Sequence, residues 1–170
     1  MSDALINWFT TTLDGLPKEL ICFIISMVPI LELRGGLVAS ALLHIPIVRA
    51  VPICIVGNIV PIPFILLFIN KIFAWLKTTK KFGGFITRFE QKTLAKGDTV
   101  RKYEFWGLLI FVGIPLPGTG AWTGALLACL LEVKMKKAVP AIFLGIMLAA
   151  TIMCVITYLI PAIIAAIYNL

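Results

Sequence analysis

Long runs of residues without a charged side chain are the feature that most constrains this chain. No Asp, Glu, Lys or Arg occurs in residues 105–131 or 138–170, and a shorter run covers residues 50–70. About 20 apolar residues are enough for an α-helix to cross the hydrocarbon core of a bilayer. Only 14% of the residues are charged, against about a quarter in soluble proteins. The sequence therefore predicts an all-α integral membrane protein.

The first sixteen residues are more polar than the rest, which predicts that they form a separate segment. They lack a basic amino-terminal region and a small-residue cleavage site, and Asp3 and Asp14 interrupt the apolar pattern. Apolar residues recur at helical spacing from Leu5 to Leu13. We expect no signal peptide here, but a short helix in residues 1–16 that lies in the membrane interface.

An internal repeat emerges when the sequence is shifted against itself by 88 positions. The shift pairs Pro29 with Pro117, Gly36 with Gly124, Gly57 with Gly145, and Ala-Val-Pro at 50–52 with the same tripeptide at 138–140. Aligned Pro and Gly are informative because they punctuate secondary structure. Each half has an apolar arm, a Pro/Gly-rich break, a second arm, a short polar loop and a long apolar segment.

The distribution of basic residues favours one topology for these broken segments. Each segment either crosses the membrane once or turns back as a re-entrant hairpin. Of fifteen basic residues, nine lie between Lys71 and Lys102 and three between Lys134 and Lys137. In the hairpin topology all twelve of these basic residues lie on one side of the membrane, as expected for cytoplasmic loops. With continuous crossings they would be divided between the two sides. Arms of about ten residues rise roughly 15 Å, half of a hydrocarbon core about 30 Å thick.

The sequence thus predicts an inverted repeat of two units, each a re-entrant helical hairpin followed by a transmembrane helix. Pro29, Pro115 and Pro117 are the predicted hairpin breakers. After the interfacial helix, the predicted segments are repeat 1 at 17–76 (hairpin 18–43, transmembrane helix 50–76), a basic amphipathic cytoplasmic linker at 77–104, and repeat 2 at 105–170 (hairpin 105–131, transmembrane segment 138–170). The linker suits the anionic inner leaflet. Nucleic-acid binding is not expected beside such apolar segments.

Two oppositely charged residues in the first predicted hairpin are the main candidates for function. Burying Glu32 or Arg34 at membrane depth costs about 2.5 to 3.5 kcal/mol each, so such groups are functional candidates by default. In a non-helical tip they either neutralise one another and hold the tip, or they have separate roles. In the second case Glu32 exchanges a proton when substrate displaces Arg34. Arg34 then holds an anionic head group, assisted by the backbone amides of Gly35 and Gly36.

The second predicted tip has no charge and offers a different set of groups. The candidate substrate-binding groups are the amides of Gly118 and Gly120, the hydroxyls of Thr119 and Thr123, and the indole of Trp122. Packing against a neighbouring helix is the alternative role of Trp122. In the first long segment, Asn58 is either an interhelical hydrogen-bond donor or a substrate contact, and Pro61 and Pro63 predict a kink.

Metal, cofactor and enzyme chemistry are not predicted. The four cysteines lie apart in apolar segments, and His44 is the single histidine. Free buried thiols are the expected state of these cysteines, because a zinc site needs a denser set of ligands. An enzyme acting on a lipid phosphate would need a nucleophile and a base close together at membrane depth. Without an ATP-binding motif, uphill transport would depend on an ion gradient.

Two strings carry a family resemblance: P-I-L-E-L-R-G-G at 29–36 and P-L-P-G-T-G-A-W-T-G at 115–124. With them the chain resembles the small multidrug export protein family, a branch of the DedA-like membrane proteins. The resemblance implies an inverted-repeat transporter with re-entrant helices in the bacterial plasma membrane. DedA-like relatives are associated with flipping lipid carriers such as undecaprenyl phosphate, with phospholipid scrambling and with proton-dependent drug resistance. They usually carry arginines around the second Pro-Gly turn, and residues 113–124 contain none.

The leading prediction is a proton-coupled transporter or flippase for an amphiphile, with an anionic lipid carrier such as undecaprenyl phosphate as substrate. Its site is expected between the two hairpin tips. The alternatives are an exporter of cationic amphiphiles, a passive phospholipid scramblase, an intramembrane lipid-phosphate enzyme and a structural scaffold. Membrane lipids are expected partners. A homodimer is also expected, because two full crossings leave the hairpins of a monomer poorly shielded.

Overall fold

The computed structural model of the protein describes residues 16–77, 83–94, 103–116 and 118–168. All regular secondary structure in these residues is helical. The predicted interfacial helix, except for its last residue, and Pro117 lie outside the described residues, as do positions 78–82 and 95–102 of the linker. The helices are α1 (Lys18–Met27), α2 (Glu32–Leu42), α3 (Ile47–Ile59), α4 (Pro61–Lys77), α5 (Gly83–Leu94), α6 (Phe105–Gly113), α7 (Ala121–Leu130), α8 (Met135–Cys154), a π-helical turn (Val155–Leu159) and α9 (Ile160–Tyr168).

Two helical stretches among the described residues are long and apolar enough to cross a membrane. Span 1 is Ile47–Ile69, with 23 residues, and span 2 is Met135–Ile167, with 33 residues. Their surfaces carry large apolar side chains, such as Phe64, 63% exposed, and Ile167, 70% exposed. A surface of this kind suits lipid and would be unfavourable in water. Span 1 is interrupted where the sequence predicts a kink, since α3 ends at Ile59 and α4 begins at Pro61.

The chain reverses direction between α1 and α2, which together form hairpin 1. Helix α1 ends because Pro29 disfavours the helical conformation in the residue before it, and Val28 is extended with φ −74° and ψ 130°. At the open end of the hairpin, Lys18 Nζ donates a hydrogen bond to the Leu43 carbonyl at 3.2 Å. The two arms are therefore antiparallel. Helices α6 and α7 form the corresponding hairpin 2.

Glycines allow hairpin 1 to pack directly against span 1. A Cβ atom at Gly36 would lie 2.9 Å from the Cys54 sulfur, and one at Gly57 would lie 2.7 Å from the Phe23 carbonyl oxygen. Both distances are too short for real Cβ contacts, so only glycine fits without movement of its neighbours. The backbones of α1, α2 and α3 therefore approach one another closely.

The chain divides into two compact units. Unit 1 comprises the residues up to Val60 and those from Ile146 onward, and unit 2 is Pro61–Gly145. In unit 1, both arms of hairpin 1 pack on α3, and α2 also touches the π-helical turn. In unit 2, α7 packs against α4, α5 and α6. Each span thus contributes one part to each unit.

The loops that follow the two hairpins have the same local structure. Ile45 N donates to the Ser40 carbonyl at 2.9 Å, and 88 residues later Val133 N donates to the Ala128 carbonyl at 2.9 Å. The residue before each donor has a positive φ: 57° at His44 and 53° at Glu132. This pattern is the Schellman motif, which ends a helix with a left-handed residue. The repeat in sequence is thus also a repeat in local structure.

Candidate functional site

Glu32 occupies an unusual position at the start of α2. Its φ is 50°, in the left-handed region, and only 4% of the residue is exposed. A left-handed residue other than glycine costs about 1–2 kcal/mol. The residue 88 positions later is Gly120, which also has a positive φ, 131°. The backbone at this point of the repeat therefore favours glycine, and hairpin 1 has a buried carboxyl group there instead.

The predicted non-helical tip around Glu32 and Arg34 was wrong in its position. The turn is Val28–Leu31, and α2 begins at Glu32 itself. The reason lies in the backbone hydrogen bonds: the Val28 carbonyl accepts both Leu31 N at 3.1 Å and Glu32 N at 2.9 Å. These bonds close the turn before Glu32, and the bond from Gly35 N to the Leu31 carbonyl, 2.7 Å long, follows directly at the start of the helix. Glu32 and Arg34 thus lie in the first turn of α2.

Arg34 lies on the same helical turn and is less buried than Glu32. It is of intermediate exposure. Its charge interacts with the charge of Glu32. Burial of a guanidinium is unfavourable unless it is paired, and Glu32 supplies the opposite charge. The arrangement leaves the carboxylate inside and the guanidinium nearer to a surface.

The predicted role of the Gly35 and Gly36 amides in anion binding stays a prediction, although the amide of Gly35 is already engaged within hairpin 1. Gly35 N donates to the Leu31 carbonyl at 2.7 Å, so it is not available to a substrate anion. Gly36 is the fifth residue of α2, and only the first four amides of a helix lack an intrahelical partner. Both glycines are buried. Their role in the structure is close packing of the hairpin arms.

Asn58 is the second buried polar group near hairpin 1. It is 2% exposed, and its Oδ1 atom has no hydrogen-bond partner. The predicted interhelical hydrogen bond would be donated by the amide nitrogen of Asn58, so it stays a prediction. Pro61 and Pro63 lack an N–H, so the carbonyls four residues before them also lose their usual helical donors. The buried Asn58 Oδ1 atom is an acceptor without a donor, which suits a ligand that donates a hydrogen bond.

Hairpin 2 has a tip held by its own hydroxyl group. Thr119 Oγ1 lies 2.9 Å from the Ile114 carbonyl and 2.8 Å from the Leu116 carbonyl, and it also accepts from Leu116 N at 3.3 Å. Because Thr119 has one hydroxyl hydrogen, it donates to one of these carbonyls at a time. Gly118 has a φ of 75°, which permits this tight turn. Thr119 therefore stabilises the turn that contains Pro115, and its hydroxyl is already engaged.

The remaining predicted residues of hairpin 2 lie at the start of α7. Trp122 and Thr123 are both of intermediate exposure in its first turn. Gly120 immediately precedes the helix. These residues belong to unit 2, whereas Glu32, Arg34 and Asn58 belong to unit 1. A single site formed by both hairpins stays a prediction.

Ion pairs at the open ends of both hairpins were not predicted from the sequence. Arg49, at the start of span 1, lies 3.9 Å from Glu19 of α1. Lys137, which is 88 residues after Arg49, donates a hydrogen bond to Glu104 just before α6. This hydrogen bond and the charge of Lys137 lower the pKa of Glu104. The signal available in the sequence was a basic residue at the same place in each repeat. Such exposed pairs contribute little to stability.

Metal ligands do not converge in the part of the chain that the structure describes. There, no group of three or more His, Cys, Asp or Glu residues is placed to hold a metal ion. Cys22, Cys54, Cys129 and Cys154 are free thiols.

One comparison with known proteins gives a match. A family model described as "Putative small multi-drug export protein" matches residues 32–152, more than two thirds of the 170 residues. The match begins at Glu32 and includes Arg34, Asn58 and the tip of hairpin 2. No curated protein and no solved structure matches the chain.

Proposed function

Because the chain belongs to the small multidrug export protein family, we propose that it moves an amphiphilic substrate across a membrane by proton-coupled transport. The chain is a helical membrane protein with two stretches long enough to span a bilayer. In the proposal, Glu32 carries the coupled proton and Arg34 holds an anionic head group. The observation that carries it is the buried carboxyl group of Glu32 at a left-handed position.

The backbone at Glu32 supports a functional role for its side chain. Strain of this kind is retained mainly where the residue has a function, because a less strained alternative exists. Here the alternative is present in the same chain, as Gly120 occupies the equivalent position. Burial adds to the cost of an ionisable group at this point. We therefore assign the transport chemistry to hairpin 1.

Proton coupling follows from the interaction between Glu32 and Arg34. In the free protein the guanidinium supplies the counter-charge for the buried carboxylate. An anionic head group that binds Arg34 competes for that charge, and a buried carboxylate without a counter-charge is unfavourable. Glu32 then takes up a proton. Release of the substrate restores the pair and expels the proton, so substrate and proton move in a linked cycle.

An anionic head group fits Arg34 better than a cationic one does. The planar guanidinium fork matches phosphate and carboxylate oxygens, and Arg34 is the more exposed member of the pair. The partnerless Oδ1 atom of Asn58 is proposed to accept a hydrogen bond from the substrate. Trp122 and Thr123, with the backbone of Gly118 and Gly120, are proposed to line the substrate path from hairpin 2.

We propose that both hairpins are re-entrant and that the repeats are inverted. Two packing contacts support this. Hairpin 1 packs on α3, which is the first half of span 1. In hairpin 2, Val112 lies against Gly145, in the first half of span 2. If the two spans cross the membrane in opposite directions, as a cytoplasmic linker requires, the hairpins enter from opposite leaflets.

The cellular setting is proposed from the sequence. The bacterial plasma membrane, a cytoplasmic linker, membrane lipids as partners and a homodimer all fit the basic linker and the apolar spans. The relation to DedA-like proteins stays a prediction, and so does undecaprenyl phosphate as a substrate.

Transport in liposomes tests the proposal directly. Purified protein is reconstituted, and the movement of labelled undecaprenyl phosphate and of a cationic dye is measured with and without a pH gradient. The wild type should move the lipid phosphate faster with the gradient. Glu32→Gln should lose this gradient dependence, because the amide cannot carry a proton. Glu19→Gln, which alters a partly exposed acidic residue of the same hairpin, is the matched control and should retain the gradient dependence.

Other outcomes would contradict specific parts of the proposal. If the gradient drove movement of the dye and not of the lipid phosphate, the substrate would be a cationic amphiphile, with Glu32 as its counter-ion. Equal rates in both directions without gradient dependence would indicate a passive scramblase. If Glu32→Gln behaved as wild type, Glu32 would not be the proton carrier.

A further inference from the structure

Span 2 contains a π-helical turn at Val155–Leu159. The Ile160 N–H donates to the Val155 carbonyl, five residues back instead of four. The following residue, Pro161, favours the wider turn: it has no N–H to donate, and an α-helix accommodates its ring beside the Thr157 carbonyl only with a kink. Single π-helical turns of this kind occur frequently at functional sites. The site proposed above does not use this turn.

A hydroxyl from the π-helical turn reaches hairpin 1. The Tyr158 hydroxyl lies 2.6 Å from Ser40 Oγ and 3.2 Å from the Ile45 carbonyl. Ser40 Oγ, in a fully buried residue, also lies 2.7 Å from the Leu37 carbonyl. Two hydroxyl hydrogens serve three contacts, so one contact always lacks a donor. At most two hydrogen bonds form at once, and the contacts of Tyr158 with Ser40 and with the Ile45 carbonyl join span 2 to the end of hairpin 1.

A second hydroxyl in the turn is left without a partner. Thr151, in the regular part of the helix, donates to the Met147 carbonyl at 3.0 Å, four residues back. Thr157, in the π-helical turn, has a buried Oγ1 atom with no partner. In an α-helical register Thr157 could make the same type of bond to the Met153 carbonyl. In the π register the Tyr158 hydroxyl has its contacts and the Thr157 hydroxyl has none. In the α register the Thr157 hydroxyl would gain a hydrogen bond and the Tyr158 hydroxyl would lose its contacts.

We propose that span 2 exchanges between these two registers and that Tyr158 is a positioning residue for hairpin 1. When the π-helical turn changes to an α-helical one, the residues that follow rotate about the helix axis by about 100°. This rotation withdraws Tyr158 from Ser40. Ser40 and Glu32 lie on one helix, eight residues or about 12 Å apart. The contact of Tyr158 with Ser40 therefore fixes the position of Glu32 and Arg34. This second step rests on the proposed function, whereas the two registers do not.

Fluorine NMR on the full chain in lipid nanodiscs tests the two registers. The protein has three tyrosines, Tyr103, Tyr158 and Tyr168, so 3-fluorotyrosine labelling gives few signals, and Tyr158→Phe assigns the one of interest. Pro161→Ala favours the α register and should move the Tyr158 signal to a second position. In the double variant with Thr157→Val, the Tyr158 signal should move part of the way back. Valine has no hydroxyl to bond the Met153 carbonyl, so the α register loses that stabilisation.

A matched control separates the register from general effects on span 2. Thr151→Val removes a hydroxyl that bonds within its own helix, and it should leave the Tyr158 signal unchanged. Ser40→Ala should shift the signal as Pro161→Ala does, because the π register loses its contact with hairpin 1. If neither Pro161→Ala nor Ser40→Ala changed the Tyr158 signal, the two-register proposal would be overturned.

The positioning role needs a functional measurement. Tyr158→Phe keeps the ring and removes the hydroxyl, and it should raise the lipid-phosphate concentration for half-maximal transport roughly two- to tenfold, the range for loss of one hydrogen bond. It should also displace the pH profile of transport, which an unconnected structural change would leave in place. An unchanged pH profile with an altered NMR signal would overturn the positioning role alone. If no substrate is transported by the wild type, the proposed function fails while the NMR experiment still decides the registers.

Discussion

Hairpin 1 and hairpin 2 share a backbone plan but differ in chemistry at the start of the second arm. The shift of 88 residues pairs Glu32 with Gly120 and Arg34 with Trp122. Both Glu32 and Gly120 have a positive φ, 50° and 131°. The fold thus places a residue of positive φ there in each repeat, and the carboxyl group is an addition that the backbone does not require. The comparison separates what the repeat needs for folding from the side chains to which we assign a function in hairpin 1.

The largest effect on stability is expected at the glycine of hairpin 2. Gly120→Ala forces a side chain into a conformation with φ 131°, which is essentially restricted to glycine. The free energy of unfolding should fall by about 1–3 kcal/mol. Denaturant unfolding in detergent micelles measures this. Gly84→Ala, at an exposed glycine of α5 with open space around it, is the control and should not be destabilising. An unaffected Gly120→Ala would remove the conformational basis of the comparison.

Arg34 and Trp122 should differ in their effect on substrate charge. Arg34→Ala is expected to weaken binding of the lipid phosphate about tenfold, or about 1.4 kcal/mol, because the guanidinium supplies a charge-assisted contact. Trp122→Phe should leave the preference for an anionic head group unchanged. Binding is measured by titrating the labelled lipid phosphate in detergent. Equal losses in both variants would show that the two hairpins do not divide their roles as proposed.

Glycine and alanine at position 32 should have the reverse of their usual order. At an ordinary helical position glycine is less stable than alanine by about 1 kcal/mol. Because φ is 50° at Glu32, Glu32→Gly should be more stable than Glu32→Ala by about 1 kcal/mol. Both variants lack the carboxyl group, so the difference isolates the backbone. Thermal unfolding of the two proteins provides the measurement, and the usual order would contradict the left-handed assignment.

The smallest effect is expected at the open end of hairpin 2. Lys137 lowers the pKa of Glu104, so this pair stabilises the folded protein above the ordinary pKa of a glutamate. The contribution is lost as the pH falls through the lowered pKa of Glu104. Glu104→Gln should therefore lower the thermal midpoint slightly at neutral pH and not at all in strong acid, with less effect in high salt. A midpoint difference that increased as the pH fell would contradict the pairing.

Much of the fold could be predicted from the sequence because it depends on composition and on proline. The charge-free stretches gave the helical membrane class and both spans, and Pro61 and Pro63 gave the break between α3 and α4. The reversal near Pro29 also follows from local sterics. These features are determined by a few neighbouring residues, so a pattern in the sequence is enough to predict them.

The details of the site could not be predicted because they depend on contacts distant in sequence. The burial of Glu32 and of Asn58 comes from packing between the arms of hairpin 1 and span 1. The hydroxyl contact of Tyr158 joins residues 118 positions apart. Pro161 was a usable signal for the π-helical turn, since a proline beyond the middle of a long helix requires some change in the ladder.

The close packing at Gly36 and Gly57 has a mechanical consequence. Because a Cβ atom at either glycine would lie less than 3.0 Å from a neighbouring atom, hairpin 1 and α3 have no free space between them that could close when a bulky substrate binds. Hairpin 1 and α3 should therefore move as one rigid body. The protein must then accommodate substrates of different width at surfaces outside hairpin 1 and α3.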